Sequence, residues 1–430
     1  MRFIGMDVYQ GFCEVAIRGE DGKTRSAGRI ETGRATLELF AQSLDASDEV
    51  VMESTGPAME IARIIGPHVG RVVVANSQEV RAISHARVKS DRFDARTLAD
   101  LLAAGMLNTV WVPDAQTQAL RRRVARRAAL VRQRTRAKNE IHATLARCLL
   151  GRSPFTDLFS VEGRAWLEQQ QLTEDEQETI TGCLRQIDFL DEEIARVDRK
   201  LSEWAVSSEE ARRLMTIPGV GAGVSVTLMA AIGDISRFSS ARQLVAYLGL
   251  DPKVRQSGDE PARHGRISKR GNPQARSVLV EAAWVALRQP GPLRAFGERI
   301  RARRGAQVAA VAVARKIACL AWQLLSSGED YAFARPSRVR AKLRRVERDA
   351  GAPRLPTRHG GQRIYGTAAE KAAEQELVRR AETAYQRLIA DWKATGPTRR
   401  KDAGATSGRA PSRPSKRQAA RQAQAQTPAL

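Results

Sequence analysis

Four acidic residues stand at points where a charge needs a reason. Asp7 falls near the end of the short apolar run Arg2–Val8, and Glu53 directly follows Val50, Val51 and Met52. A carboxylate ending a buried strand is costly unless something pairs it, and a divalent cation is the usual partner. Asp91 and Asp94 are spaced i, i+3 at the start of a helical pattern, so both can face one sheet edge. Four carboxylates brought together cannot all ionise at neutral pH without cations. A pair of Mg²⁺ ions would stabilise them and could position or activate oxygens around a phosphate. Each acid also has a plainer explanation. Asp7 or Glu53 alone can end a strand at the surface, and Asp91 with Asp94 can cap a helix and complement its dipole. A fifth residue, Ser257, lies in a cation-rich stretch just before Gly258. A serine hydroxyl is a poor nucleophile unless a base or a metal assists its ionisation. Arg255, Arg266, Lys269 and Arg270 could neutralise a phosphate beside it; His264 is near in sequence without a supported role. On spacing alone, Ser257-Gly258 reads as a turn.

The elements that would position these residues follow from patterning. The segments Arg2–Val8, Phe12–Arg18 and Thr24–Ile30, separated by turn residues, read as three consecutive antiparallel strands. Helical and buried-strand patterns then alternate through Leu102: a helix over Ala35–Leu44, a strand at Glu49–Met52, a helix after Pro57, a strand at Arg71–Ala75 and a helix from Asp91. That is the element order of an α/β RNase H-like fold. Residues 115–205 are almost entirely helical in pattern. Their first half places Leu120, Val124, Ala128 and Val131 on one face amid many arginines. Their acidic second half carries a heptad seam of Ile180, Ile187, Ile194 and Leu201, with Cys183, Leu190, Val197 and Trp204 three residues on. The seam predicts a dimerising coiled coil; the alternative is a long hairpin within one subunit. Residues 210–330 read as a second, helix-rich unit punctuated by glycine. The expected divisions are therefore 1–110, 111–208, 209–328 and a basic extension over 329–430, low in complexity and disordered from about Pro397.

Composition restricts the partners. The chain has 430 residues, a formal net charge of +23 and a pI near 10.8. Such a surplus repels itself in a compact fold unless a polyanion balances it, so nucleic acid or an anionic membrane is the expected partner. No apolar run approaches the ~18 residues of a membrane span, and the first ten residues lack the apolar stretch of a signal peptide. Cys13, Cys148, Cys183 and Cys319 lie far apart without metal-type spacing, as reduced thiols in a cytoplasm would. Within the second unit, Ile217-Pro218-Gly219-Val220-Gly221 precedes the apolar helix Val224–Ile232. Backbone N–H groups around Gly219 and Gly221 could hold a DNA phosphate in the manner of a helix-hairpin-helix motif, or the segment is an ordinary helix–helix turn.

Taken in order, these segments are similar to transposases of the insertion sequence 110 family. The resemblance covers roughly residues 1–325. It rests on Gly5-Met6-Asp7-Val8, Met52-Glu53-Ser54-Thr55-Gly56, Lys89-Ser90-Asp91-Arg92-Phe93-Asp94-Ala95, Ile217–Gly221, Tyr247-Leu248-Gly249-Leu250, Gln256-Ser257-Gly258 and Gly265-Arg266-Ile267-Ser268-Lys269-Arg270-Gly271-Asn272. It implies a RuvC-like N-terminal domain whose Asp-Glu-Asp-Asp tetrad matches Asp7, Glu53, Asp91 and Asp94 and binds Mg²⁺. It also implies a coiled-coil insertion and a mostly helical C-terminal transposase domain whose catalytic serine matches Ser257. The implied partners are donor and target DNA, a noncoding bridge RNA that pairs with both, and further copies of the chain as dimers assembling into tetramers. The implied setting is the bacterial cytoplasm and nucleoid. The basic extension lies outside the shared pattern. Two other functions fit the same residues: a RuvC-like Mg²⁺-dependent junction nuclease, which would not require Ser257, and a non-catalytic nucleic-acid-binding scaffold.

Overall fold

Apolar side chains alternate along the first strands, so that each strand offers one set to either side of a sheet. The computed structural model describes residues 1–78, 80, 91–354, 358–359, 362–363 and 366–395. Lys89 and Ser90 of the motif above, and the low-complexity tail from Pro397, lie outside the described residues. The strands β1 (Phe3–Val8), β2 (Phe12–Arg18) and β3 (Thr24–Glu31) form an antiparallel meander. After helix α1 (Arg34–Gln42), strand β4 (Glu49–Glu53) pairs parallel to β1. Helix α2 (Ala58–Ile65) leads to β5 (Arg71–Ala75), parallel to β4, and after helix α3 (Asp91–Ala103) the short β6 (Thr109–Val110) closes the sheet antiparallel to β5. The strand order is β3-β2-β1-β4-β5-β6. One face buries Ile4, Met6, Val50, Met52 and Val74 against Leu37, Ile61 and Ile65 of α1 and α2. The other buries Val51, Val73 and Ala75 against Leu98 and Leu102 of α3.

Two long helices, α4 (Ala115–Arg147) and α6 (Glu174–Ser207), pack against each other, with the short α5 (Val161–Glu168) between them in sequence. The heptad seam is consumed here. Ile180, Cys183 and Ile187 bury against Ala137, Ile141 and Leu145, while Leu190 and Ile194 bury against Leu130. The expectation of a coil joining two copies through this seam is therefore corrected. An a/d stripe specifies an apolar partner helix, and α4 supplies it from within the chain. The acids of α6 also claim several of the arginines of α4, in the pairs Arg127–Asp198, Arg134–Asp191, Arg126–Glu193 and Arg147–Glu176.

The remaining described chain is mostly helical: α7 (Glu209–Leu214), α8 (Ala222–Ile232), α9 (Ala241–Tyr247), α10 (Pro273–Leu287), α11 (Pro292–Arg304), α12 (Ala306–Ser327), α13 (Pro336–Asp349) and α14 (Ala368–Thr395). Between α9 and α10 runs a ribbon of β7 (Pro252–Arg255) and β8 (Arg263–Ile267). The helix α12 is long and apolar enough to cross a membrane by length and composition, contrary to the reading of the sequence. Its Val313, Ala314, Ile317 and Ala321 instead bury in the core that α8, α9 and α10 share. The basic extension is also more than a tail as far as residue 395. Glu382 of α14, only 7% exposed, accepts hydrogen bonds from the Gly291 N–H at 3.0 Å and from Arg294 at 2.8 and 2.9 Å. Glu374 likewise accepts from the Ser337 N–H at the start of α13. Lys342 of α13 is buried with its ammonium donating to the carbonyls of Met215, Ile217 and Val220.

Candidate active site

The parallel register of β1 and β4 pairs Met6 with Met52. Asp7 and Glu53 therefore follow, one residue further along, on adjacent strands at their carboxyl-terminal ends. Ligands of open α/β sheets gather at such ends. The helix α3 crosses over β1 at Gly5. A β-carbon there would collide with the Ala95 carbonyl oxygen and lie 2.7 Å from the Ala99 nitrogen. This close approach brings the first turn of α3, with Asp91 and Asp94, to the same end of the sheet. Ion pairing of Arg18 with Asp100 at 2.6 Å ties the far side of α3 to β2.

Asp7 feels the other three acids. Burial pushes the Asp7 carboxyl up to about 6 from an ordinary 3.8, a hydrogen bond from Tyr9 opposes the rise, and the charges of Asp94, Asp91 and Glu53 add to it. The Tyr9 hydroxyl stands 3.0 Å from Asp7 Oδ2 and 2.9 Å from Asp91 Oδ1. Burial and these two acids push the Tyr9 phenol up as well. Among the described residues, no three acid, histidine or cysteine side chains stand close enough to enclose a metal ion as they are arranged. The donor chemistry nonetheless suits a hard divalent cation: all-oxygen, acidic, partly buried, with ionisation of Asp7 opposed by its neighbours. The nearby cations are held mainly by another acid, although Arg29 also stands 3.7 Å from Asp91 Oδ2. Glu14, opposite Asp7 in the register and 1% exposed, takes Arg29 at 2.9 Å and Arg92 at 3.4 Å.

Ser257, read from spacing as part of a turn, lies in the connection of the β7–β8 ribbon. The ribbon is exposed along both strands, with Arg255 in β7 and Arg266 in β8. Its base is tightly built. The Ser268 hydroxyl donates to Asp251 Oδ1 at 2.5 Å, and its N–H to the Asp251 carbonyl at 2.7 Å. Lys269 adopts a left-handed φ of 56° next to Arg270, an arrangement that costs a lysine energy and must be held by its surroundings. Arg276 of α10 reaches back to the carbonyls of Leu248 and Lys269. Among the described residues, no side chain hydrogen-bonds the Ser257 hydroxyl, and His264 pairs in register with Val254. Gly219 has a packing reason to be glycine: at φ 85°, a β-carbon would strike the Ala282 carbonyl of α10. Gly221 precedes α8 without a side-chain cap.

Residues 4–149 match a family of DEDD transposases of the IS110 type, and residues 211–298 match the family described as Transposase IS116/IS110/IS902. A putative transposase, y4qE, of Sinorhizobium fredii is 30% identical over 294 residues, 66% of this chain and 71% of its own length. The transposase of insertion sequence element IS1328 from Yersinia enterocolitica is 30% identical, over 65% of this chain and 84% of its own. That of element IS1111A from Coxiella burnetii is 29% identical, over 77% and 91%. The chain belongs to the IS116/IS110/IS902 family of transposases. The first family match contains Asp7, Glu53, Asp91 and Asp94, and the second contains Ser257 with its ribbon. In this transposase, sequence reasoning missed Tyr9, Glu14 and Arg29, which surround the acids. Tyr9 carried a usable signal, since a residue two beyond Asp7 returns to the same side of an extended chain. Glu14 carried none: one acid in an otherwise apolar strand looks like a solvent-facing position until its arginines are seen.

Proposed function

We propose that this transposase recombines DNA through a serine-linked intermediate, using an RNase H-like, RuvC-like acid site and Ser257 as two halves of one centre. What supports the proposal is that Asp7 and Glu53 fall on adjacent strand ends, that Tyr9 links Asp7 to Asp91 in the first turn of α3, and that Ser257 lies within the second family match. Asp7, Glu53, Asp91 and Asp94 would hold Mg²⁺, which supplies positive charge to phosphate oxygens and eases loss of a hydroxyl proton. Ser257 Oγ bonds to the scissile phosphorus as the bond to the 3′ oxygen breaks, and the serine proton ends on that departing oxygen. A 3′ hydroxyl from the other DNA then attacks the phosphoserine and returns the proton to Ser257. Bond energy is conserved throughout, so no nucleotide cofactor is required. Arg255, Arg266, Lys269 and Arg270 neutralise the phosphate, and the backbone around Gly219 and Gly221 positions the duplex without reading its sequence.

Sequence choice is assigned to a bridge RNA pairing with donor and target DNA in the bacterial cytoplasm. The bare surroundings of Ser257 favour completion of the centre by the acids of another subunit within a dimer or tetramer. The test is Ser257→Ala in a recombination assay with denaturing gels for covalent protein–DNA adducts. The expected result is loss of adducts and of recombination with RNA binding retained. Recombination at the wild-type level would remove Ser257 from the mechanism. Cleavage without adducts would instead establish hydrolysis by the acids alone.

A further inference from the structure

The Tyr9 ring is held by contacts additional to its hydrogen bonds with the acids. Its N–H donates to the Phe12 carbonyl at 2.9 Å, and its own carbonyl accepts from the Thr32 hydroxyl at 3.1 Å. The ring stacks on Phe12 with centroids 5.0 Å apart and planes 25° apart, and Arg29 lies over the Phe12 ring, 4.4 Å from its centroid. The backbone hydrogen bonds and the stack on Phe12 thus hold the ring without any carboxylate. The hydroxyl they deliver reaches one oxygen of Asp7, from the end of β1, and one oxygen of Asp91, from the first turn of α3. These two acids stand 84 residues apart in the chain, and Tyr9 touches both. Arg29 approaches the second oxygen of Asp91 at 3.7 Å.

We infer that Tyr9 is a positioning residue of the acid site, setting the spacing and rotation of Asp7 and Asp91 so that their remaining oxygens are presented together to a divalent cation. The inference rests on the reading of the four acids as a cation site. A phenol suits the task because it is rigid and neutral. Carboxylates that ligate metals are themselves oriented by hydrogen bonds, and loss of such a partner typically weakens metal binding about 10–100-fold. Tyr9 touches no reacting atom, so its effect acts through the acids.

The experiment is Mn²⁺ titration of the full-length protein by electron paramagnetic resonance, comparing wild type, Tyr9→Phe and Asp7→Asn. Melting curves in chelator serve as a fold control. Tyr9→Phe keeps the ring and its stack on Phe12 and removes only the hydroxyl. The expected result is a wild-type melting curve with Mn²⁺ affinity reduced about 10-fold or more. Wild-type or tighter affinity in Tyr9→Phe, with binding lost in Asp7→Asn, overturns the role of Tyr9 and leaves the cation site standing. Wild-type binding in Asp7→Asn overturns the cation site itself. If Tyr9→Phe melts early, Phe12→Leu gives a second reading, because it frees the ring while keeping the hydroxyl. Reduced affinity there supports the positioning role, and wild-type affinity refutes it.

Discussion

Gly5→Ala perturbs the acid site without touching an acid. The added methyl would sit 2.7 Å from the Ala99 nitrogen and closer still to the Ala95 carbonyl. Ordinary carbon contacts lie near 3.5–4 Å, so α3 must retreat from β1 by roughly 1 Å. Both obstacles are helix backbone, which cannot rotate aside as a side-chain tip would. Overpacking of this kind costs about 1–3 kcal/mol, readable as a lower midpoint in urea denaturation. The retreat also carries Asp91 and Asp94 away from Asp7 and Glu53. A displacement of about 1 Å exceeds the roughly 0.5 Å tolerance of a preorganised site, and a misplacement of that size can cost about 100-fold in rate. Recombination should therefore fall by about that factor even where urea shows the protein folded. Wild-type stability together with wild-type recombination in Gly5→Ala would refute the view that this crossing sets the spacing of the site.

Two further outcomes follow from buried ionisable groups. The Asp7 carboxyl is raised from 3.8 to about 6, so in chelator its ionisation opposes folding as pH rises through that window. After allowance for partial exposure, the penalty is about 1–2 kcal/mol at pH 8 and nearly absent at pH 4. Asp7→Asn should accordingly be more stable than wild type in urea at pH 8 and equal to it near pH 4; a difference independent of pH would be inconsistent with this. Burial pushes the Lys342 ammonium down to about 8 from 10.5, so the folded protein sheds this proton before the unfolded chain does and gains stability as pH rises from 8 to 10.5. Lys342→Met should lose about 2–4 kcal/mol by stranding the carbonyls of Met215, Ile217 and Val220, and the advantage of wild type should widen toward pH 10. A neutral effect at all pH values would show that Lys342 does not cap that turn.

What the sequence disclosed and what it withheld divide along local and non-local physics. Asp7 and Glu53 were legible because each follows an apolar run, where a charge is expensive. The meander and the alternating elements after it were legible from turn residues and periodicity, and the sheet has that order. The requirement for glycine at position 5 was not legible, since it arises from a helix that begins 86 residues later. The heptad seam announced a partner helix but not whose helix it would be. The ribbon holding Ser257 was not legible, because its strands lie exposed and lack the apolar alternation that marks a half-buried strand. Its connection to chemistry came from the family pattern alone. The docking of α14 through Glu382 was hidden in a stretch whose composition is charged throughout.

The ion pairs between α4 and α6 change what the formal charge of +23 means for a polyanion. Each arginine held by an α6 acid brings its own counter-charge, so it displaces few cations from a nucleic-acid backbone when the two meet. Arg122, Arg123, Arg132 and Arg136 carry no ion pair among the described residues and remain free to do so. Counterion release, and hence the steepness with which binding falls as salt is added, is governed by phosphates neutralised rather than by net charge. The slope of a salt titration should thus count the unpaired arginines that touch phosphate. The apolar seam beneath the pairs, indifferent to ionic strength, keeps the two helices together while that slope is measured.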